Sequence, residues 1–134
     1  MQELIDKTEN IELKNAYKEM LDGAIANPNY KEFYAMWFIT SLQGEHIGEM
    51  CFKGVNNGKT EIGYGIKEEF QNKGYGTESV MALTGWALSQ ESVKIVFAEV
   101  EKDNIFSIKL LEKVGFSKIK ELENTNILYE KSKN

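Results

Sequence analysis

Apolar residues recur at threes and fours over residues 10–26. Ile11, Leu13, Tyr17, Met20, Leu21, Ala24 and Ile25 share one face if that stretch is helical. Asn10 is the expected N-cap. Asn27-Pro28-Asn29 ends the helix, because a residue before proline resists the helical region. From Phe33 the pattern changes to short apolar runs bounded by turns. Phe33–Thr40 and His46–Phe52 read as a hairpin closed by Gln43-Gly44-Glu45. Asn56-Asn57-Gly58-Lys59 is the next turn, since Asn-Gly favours positive φ. Thr60–Ile66 follows as a third strand. Val80, Met81, Leu83, Thr84, Ala87 and Leu88 then restore a helical period. Lys94–Val100 is β-branched and aromatic, and reads as a strand. A short helix runs from Asp103-Asn104 to Val114, and Phe116–Leu122 and Thr125–Glu130 close the chain as two strands. A meander followed by a β-loop-helix-β unit implies an α+β fold. Its expected form is a mixed, mostly antiparallel central sheet with helices on both faces.

Composition narrows the setting more than the chemistry. At 134 residues the chain is expected to be a single domain, 1–134, large enough for a core without staples. Cys51 is the one cysteine, so no internal disulfide forms and a reducing compartment fits. Its neighbours Met50 and Phe52 make it a packed thiol rather than a nucleophile. No apolar run reaches membrane-spanning length and no signal peptide is read, so the expected location is the cytoplasm. The net charge of −5 argues against non-specific nucleic-acid binding and mildly favours cationic partners. No Cys/His or Asp/Glu spacing suggests a metal site.

The chemically informative stretch is Gln71-Asn72-Lys73-Gly74-Tyr75-Gly76-Thr77. It joins the end of a strand to the start of a helix. Such a turn leaves backbone N–H groups unpaired at the positive end of the helix dipole. Two glycines let an anion come close to that backbone. A Walker loop requires a glycine, a four-residue gap and then Gly-Lys-Ser/Thr, and no stretch has that spacing. A dinucleotide fingerprint requires a third glycine where Ser79 stands. What remains is a Gln-x-x-Gly-x-Gly loop of the kind that holds the pyrophosphate of coenzyme A, or a Gly-rich turn with no ligand.

The downstream wording decides between them. Asn104-Ile105-Phe106-Ser107 and Leu111-Glu112-Lys113-Val114-Gly115-Phe116 follow the loop in the order strand, loop, helix, strand, Asn-x-x-Ser, Leu-Glu-Lys-x-Gly-Phe. Over residues 47–117 this resembles the GNAT superfamily of N-acetyltransferases, most closely its ribosomal-protein N-acetyltransferase-like branch. The resemblance implies the acyl-CoA N-acyltransferase fold and direct acetyl transfer from acetyl-CoA to a primary amine. The acceptor would be a protein N-terminus or a small molecule. No nucleic acid or membrane partner is implied, and there is room for a homodimer. The family opens with a strand before its first helix, and here that strand is short or missing.

The same resemblance assigns roles. Tyr64, Gly65 and Ile66 offer strand backbone to the pantetheine arm. Gln71, Asn72, Lys73, Gly74, Tyr75, Gly76 and Thr77 hold the pyrophosphate. Asn104 and Ser107 reach the arm or its sulfur, while Asn104 is equally an expected N-cap. Many members carry a tyrosine general acid seven residues after the asparagine, where Leu111 stands here. Ser107 or ordered water would then assist thiolate departure. Glu61 or Glu49 is the candidate base, each with a plain solvent-facing alternative. His46 reads as a surface residue. Tyr30 and Phe33 are candidates to line an acceptor pocket. The rival readings are a non-catalytic acyl-CoA-binding module of the same fold and a nucleotide binder.

Overall fold

Among the described residues, backbone pairing sets one six-stranded sheet. The computed structural model describes Phe33 and residues 35–133. The expected helix over 10–26, its Asn10 cap, the stop at Pro28, the short or missing opening strand, Tyr30 and Tyr34 lie outside the described residues. In chain order the elements are β1 (Met36–Thr40), β2 (His46–Phe52), β3 (Lys59–Ile66), a 3₁₀ turn (Glu68–Phe70), α1 (Tyr75–Ser89), β4 (Ile95–Val100), α2 (Ile105–Val114), β5 (Ser117–Glu121) and β6 (Ile127–Ser132). The strand order is β1-β2-β3-β4-β6-β5. Only β3 and β4 run parallel; every other neighbouring pair is antiparallel. This is the mixed, mostly antiparallel sheet with a β-loop-α unit that the pattern predicts.

Two strand starts differ from the sequence reading by two residues or more. The first strand starts at Met36 rather than Phe33. Phe33 is 3% exposed and packs its ring on Phe52 and Trp86, at centroid distances of 5.3 and 5.2 Å. Its carbonyl accepts the Gly54 N–H at 2.9 Å, in register with the β1–β2 pairing, but Phe33 sits in a 3₁₀ turn and Ala35 in a bend, so the strand proper starts later. The last strand starts at Ile127 rather than Thr125. Thr125 has φ 70° and belongs to the turn, which Leu122 and Asn126 close with a 2.7 Å hydrogen bond. The Asn57-Gly58 turn has positive φ at both residues, 53° and 79°, as a tight primed turn requires.

The core lies between the sheet and the two described helices. Ile47, Phe52, Val80, Val96 and Leu111 are fully buried there. Each helix is fixed at its ends. Asn104 Oδ1 accepts the Ser107 N–H at 3.1 Å and caps α2. Gly115, at φ 105°, ends α2, and the Phe116 N–H returns to the Leu111 carbonyl at 2.9 Å. Lys131 Nζ, reaching across from β6, donates to the Val114 carbonyl at 2.8 Å. That cation sits at the negative end of the α2 dipole.

The feature that positions the site is the β3–β4 seam. These strands pair only at Lys59–Ile95, Thr60–Val96 and Glu61–Phe97. Beyond that point β3 stays bonded to β2 as far as Ile66, and β4 stays bonded to β6 as far as Val100. Each half of the sheet is held from outside while the middle opens.

Candidate active site

The opened seam forms a cleft of about 300 Å³. Ile62, Gly63 and Tyr64 line one wall, and Ala98, Glu99 and Val100 the other. Asn104, Ser107 and Leu111 of α2 bound it on the helix side, and Lys53 and Glu61 lie at the far side. Four charged residues line it, three of them acidic: Glu61, Glu99, Glu101 and Lys53. A cationic group is electrostatically favoured there over an anionic one.

The Gly-rich loop sits at the end of β3. The six N–H groups from Asn72 to Thr77 have no hydrogen-bond partner among the described residues; the first N–H turned back into α1 is that of Glu78, on Gly74 O at 3.0 Å. Asn72 and Gly74 have φ of 62° and 88°, which turns the chain sharply into α1. A run of unpaired N–H groups at a helix start is an anion-binding geometry. The two glycines serve different ends. Gly74 has open space where a Cβ would lie, and its need is the positive φ. A Cβ on Gly76 would come within 2.7 Å of Leu110 Cδ1 and 3.2 Å of Ile66 Cγ1. Gly76 therefore lets α1 pack closely on α2 and β3, which corrects the idea that it serves anion approach alone. Gln71 acts from behind the loop. Its side-chain Nε2 donates to the Ile66 carbonyl at 3.0 Å, and its backbone N–H to Glu68 O at 3.2 Å. Lys73 lies over the Phe70 ring at 5.9 Å.

The two candidate bases are not together. Glu61 lines the cleft, and its carboxylate meets Lys53 Nζ at 3.4 Å. Glu49 pairs in register with Gly65, and its carboxylate lies 3.0 Å from His46 Nε2. Four register steps separate Glu61 from Gly65, about 13 Å at the usual strand rise. Glu49 does not line the cleft. His46 is half-exposed, as read from the sequence.

At the helix side, Leu111 is fully buried and supplies an apolar wall. Ser107 and Tyr64 both line the cleft. Burial pushes the Tyr64 phenol above its ordinary range, and the influence of Ser107 opposes that only in part. The sequence reading used Tyr64 for its backbone alone. Its side chain was legible in the alternation, which puts Tyr64 on the face of buried Thr60, Ile62 and Ile66. Phe33 belongs to the core. Cys51 is held neutral by burial, against the pull of Lys53, as a packed thiol should be. Among the described residues no group of three His, Cys, Asp or Glu side chains forms a metal site. No described helix is long and apolar enough to cross a membrane.

An open β3–β4 seam, a Gly-rich loop entering α1 and an Asn-capped α2 together make the acyl-CoA N-acyltransferase fold. The chain belongs to the GNAT acetyltransferase family: the acetyltransferase (GNAT) domain matches residues 6–117. It is 35% identical over 102 residues to the uncharacterized N-acetyltransferase YjdG of Bacillus subtilis strain 168, covering 75% of this chain and 59% of that protein. It thus spans little more than half of that relative. Among solved structures, it resembles the ribosomal-protein-S5-alanine acetyltransferase from Vibrio fischeri, with TM-score 0.61 and 21% identity over 69% of this chain and 57% of that one. It also resembles the aminoglycoside acetyltransferase AAC(6')-Ib solved with coenzyme A, with TM-score 0.57 and 20% identity over 69% and 62% of the two chains.

Proposed function

We propose that this domain transfers an acetyl group from acetyl-CoA to a primary amine. The observation that carries this reading is the run of unpartnered N–H groups from Asn72 to Thr77 beside the open seam. A pyrophosphate satisfies those donors, and the strand edge of Tyr64–Ile66, apart from the Ile66 carbonyl that Gln71 already uses, accepts an amide-bearing arm. A coenzyme A complex of a protein with this fold supports the assignment. Bound there, acetyl-CoA supplies an activated thioester.

The residues then divide the work. Glu61 takes the proton of the attacking amine, directly or through water, because it is the cleft carboxylate that the sequence singles out. Glu99 and Glu101 add negative charge that draws in a protonated amine. Ser107 holds the sulfur with a hydrogen bond as the carbon–sulfur bond breaks. Asn104 spends its Oδ1 on the α2 cap, which leaves its amide free for the arm. The acceptor is a small-molecule amine or a protein N-terminus, and a lone thiol fits work in the reducing cytoplasm.

The test is calorimetric titration with acetyl-CoA, followed by CoA release against a panel of amines and N-terminal peptides. Saturable binding with turnover on at least one amine is the expected result. Binding without turnover on any of them leaves the acyl-CoA-binding module. No binding removes the assignment.

A further inference from the structure

The cleft already holds a primary amine of the protein's own. Lys53 directly follows β2, and its backbone N–H donates to the Glu61 carbonyl at 2.9 Å. That bond continues the β2–β3 ladder and sets the two side chains opposite each other. The Lys53 stem then passes over Gly63, with Cε 3.7 Å from where a Cβ on that glycine would stand. Its Nζ ends 3.4 Å from Glu61 Oε2. Both residues line the cleft together with Gly63 and Tyr64. Glu61 is the carboxylate assigned above to the proton of an attacking amine, so Lys53 Nζ stands where an acceptor nitrogen would be deprotonated. Every basic side chain of this chain is a lysine, and position is what singles this one out. Lys59 also faces a glutamate, Glu130 at 4.0 Å, and is about as exposed as Lys53, yet it does not line the cleft.

We propose that Lys53 is an internal acceptor: the domain acetylates its own Lys53 Nζ, in cis, from acetyl-CoA bound in the seam. The Lys53 ammonium first gives a proton through Glu61 to solvent. Its lone pair then attacks the thioester carbonyl. The nitrogen–carbon bond forms, and the carbon–sulfur bond breaks with its electron pair left on sulfur. The nitrogen loses a second proton as the amide forms, and the sulfur takes one from solvent. The products are acetylated Lys53 and coenzyme A, with one proton released overall. Selectivity comes from proximity, since an amine tethered beside its base needs no encounter step. The product side chain is neutral. It leaves Glu61, Glu99 and Glu101 in the cleft with no cation among its lining residues, which strengthens the pull on a cationic acceptor. Like transfer to an external amine, this step requires acetyl-CoA in the seam and so rests on the reading above.

The parent protein is incubated with saturating acetyl-CoA and no added amine, and acetylation is followed by intact mass and peptide mapping. Calorimetry with acetyl-CoA runs alongside. Lys59 is the internal comparison, so the first readout needs no variant. Lys53 should be acetylated at least about tenfold faster than Lys59, a modest share of what a positioned base contributes. Its rate constant should not change with protein concentration. Glu61→Gln should slow Lys53 at least about tenfold while leaving Lys59 labelling and acetyl-CoA affinity unchanged. Lys53→Arg should bind acetyl-CoA and lack the fast site. A parent that binds acetyl-CoA but labels Lys53 without that margin over Lys59 overturns the inference. A rate constant that rises with protein concentration overturns it too, because one copy is then acetylating another. So does a Glu61→Gln protein that binds acetyl-CoA and labels Lys53 at the parental rate. The parent's rate ratio and concentration series decide by themselves if that variant does not fold. A parent that binds no acetyl-CoA removes the acetyl-CoA reading itself, which is a distinguishable failure.

Discussion

Gly76 shows how one residue can carry a packing demand that its motif does not announce. In the sequence it reads as half of a phosphate cradle; in the fold its missing Cβ is what lets Leu110 and Ile66 touch α1. Gly76→Ala should therefore destabilise the domain by about 1–3 kcal/mol through overpacking. Thermal unfolding measures this without any ligand, and an unchanged melting temperature would contradict the packing role. The carboxylates separate just as clearly. Glu61→Gln should lower turnover by roughly 10²–10⁴ with acetyl-CoA affinity nearly intact, whereas Glu49→Gln should leave turnover within about threefold. Steady-state kinetics on the two variants decides, and the reverse ranking would move the base to β2. Three neutral groups set an alkaline limit. Burial raises Cys51, Tyr64 and Tyr129 above their ordinary values. Each folded-state pKa exceeds the unfolded one, so the stability they contribute is complete below the unfolded values, about 8.5 and 10. It is lost as pH climbs through the folded values. Melting temperature should fall progressively above about pH 9, and Tyr64→Phe should flatten the upper part of that fall.

At the scale of elements, what the sequence declares is what local chemistry decides. Asn57-Gly58 announces its turn because both residues tolerate positive φ. Asn104 announces the start of α2 and Gly115 its end, and the structure uses both. The ends of β1 and β6 are not announced. Phe33 is as apolar as the strand it precedes, and only its packing on Phe52 and Trp86 shows that it leaves the strand. The hold of Lys131 on Val114 spans 17 residues and has no local signature at all. The candidate site follows the same division. Loop, cap and serine are contiguous motifs and were legible; the placement of Tyr64 and Ser107 on one cleft depends on a sheet face and a helix end that only folding brings together. The two caps can be compared directly. Asn104→Ala should cost about 1 kcal/mol of stability, and Lys131→Met about 0.5–1 kcal/mol. Chemical denaturation of both variants checks the pair, and additive losses are expected because the sites lie at opposite ends of α2.

Across the whole molecule, the sheet is two three-stranded halves, β1-β2-β3 and β4-β6-β5, joined edge to edge by three residue pairs. Packing of α1 against α2 and β3 ties the halves together from the helix side. The edges beyond Glu61 and Phe97 have no ladder pairing with each other, so local opening should begin there. A ligand that bonds to that edge and to the Asn72–Thr77 amides acts as a missing rung between the halves. Acetyl-CoA at one hundred times its dissociation constant should then stabilise the folded state by about 2.7 kcal/mol. The gain should not be spread evenly. Hydrogen exchange should slow most at residues 62–66 and 72–77 and least in β5, which lies at the far edge of the sheet. Uniform slowing would show only the mass-action effect on global unfolding. Protection concentrated in β5, away from the seam, would place the ligand elsewhere and dissolve the link between the open sheet and the cofactor.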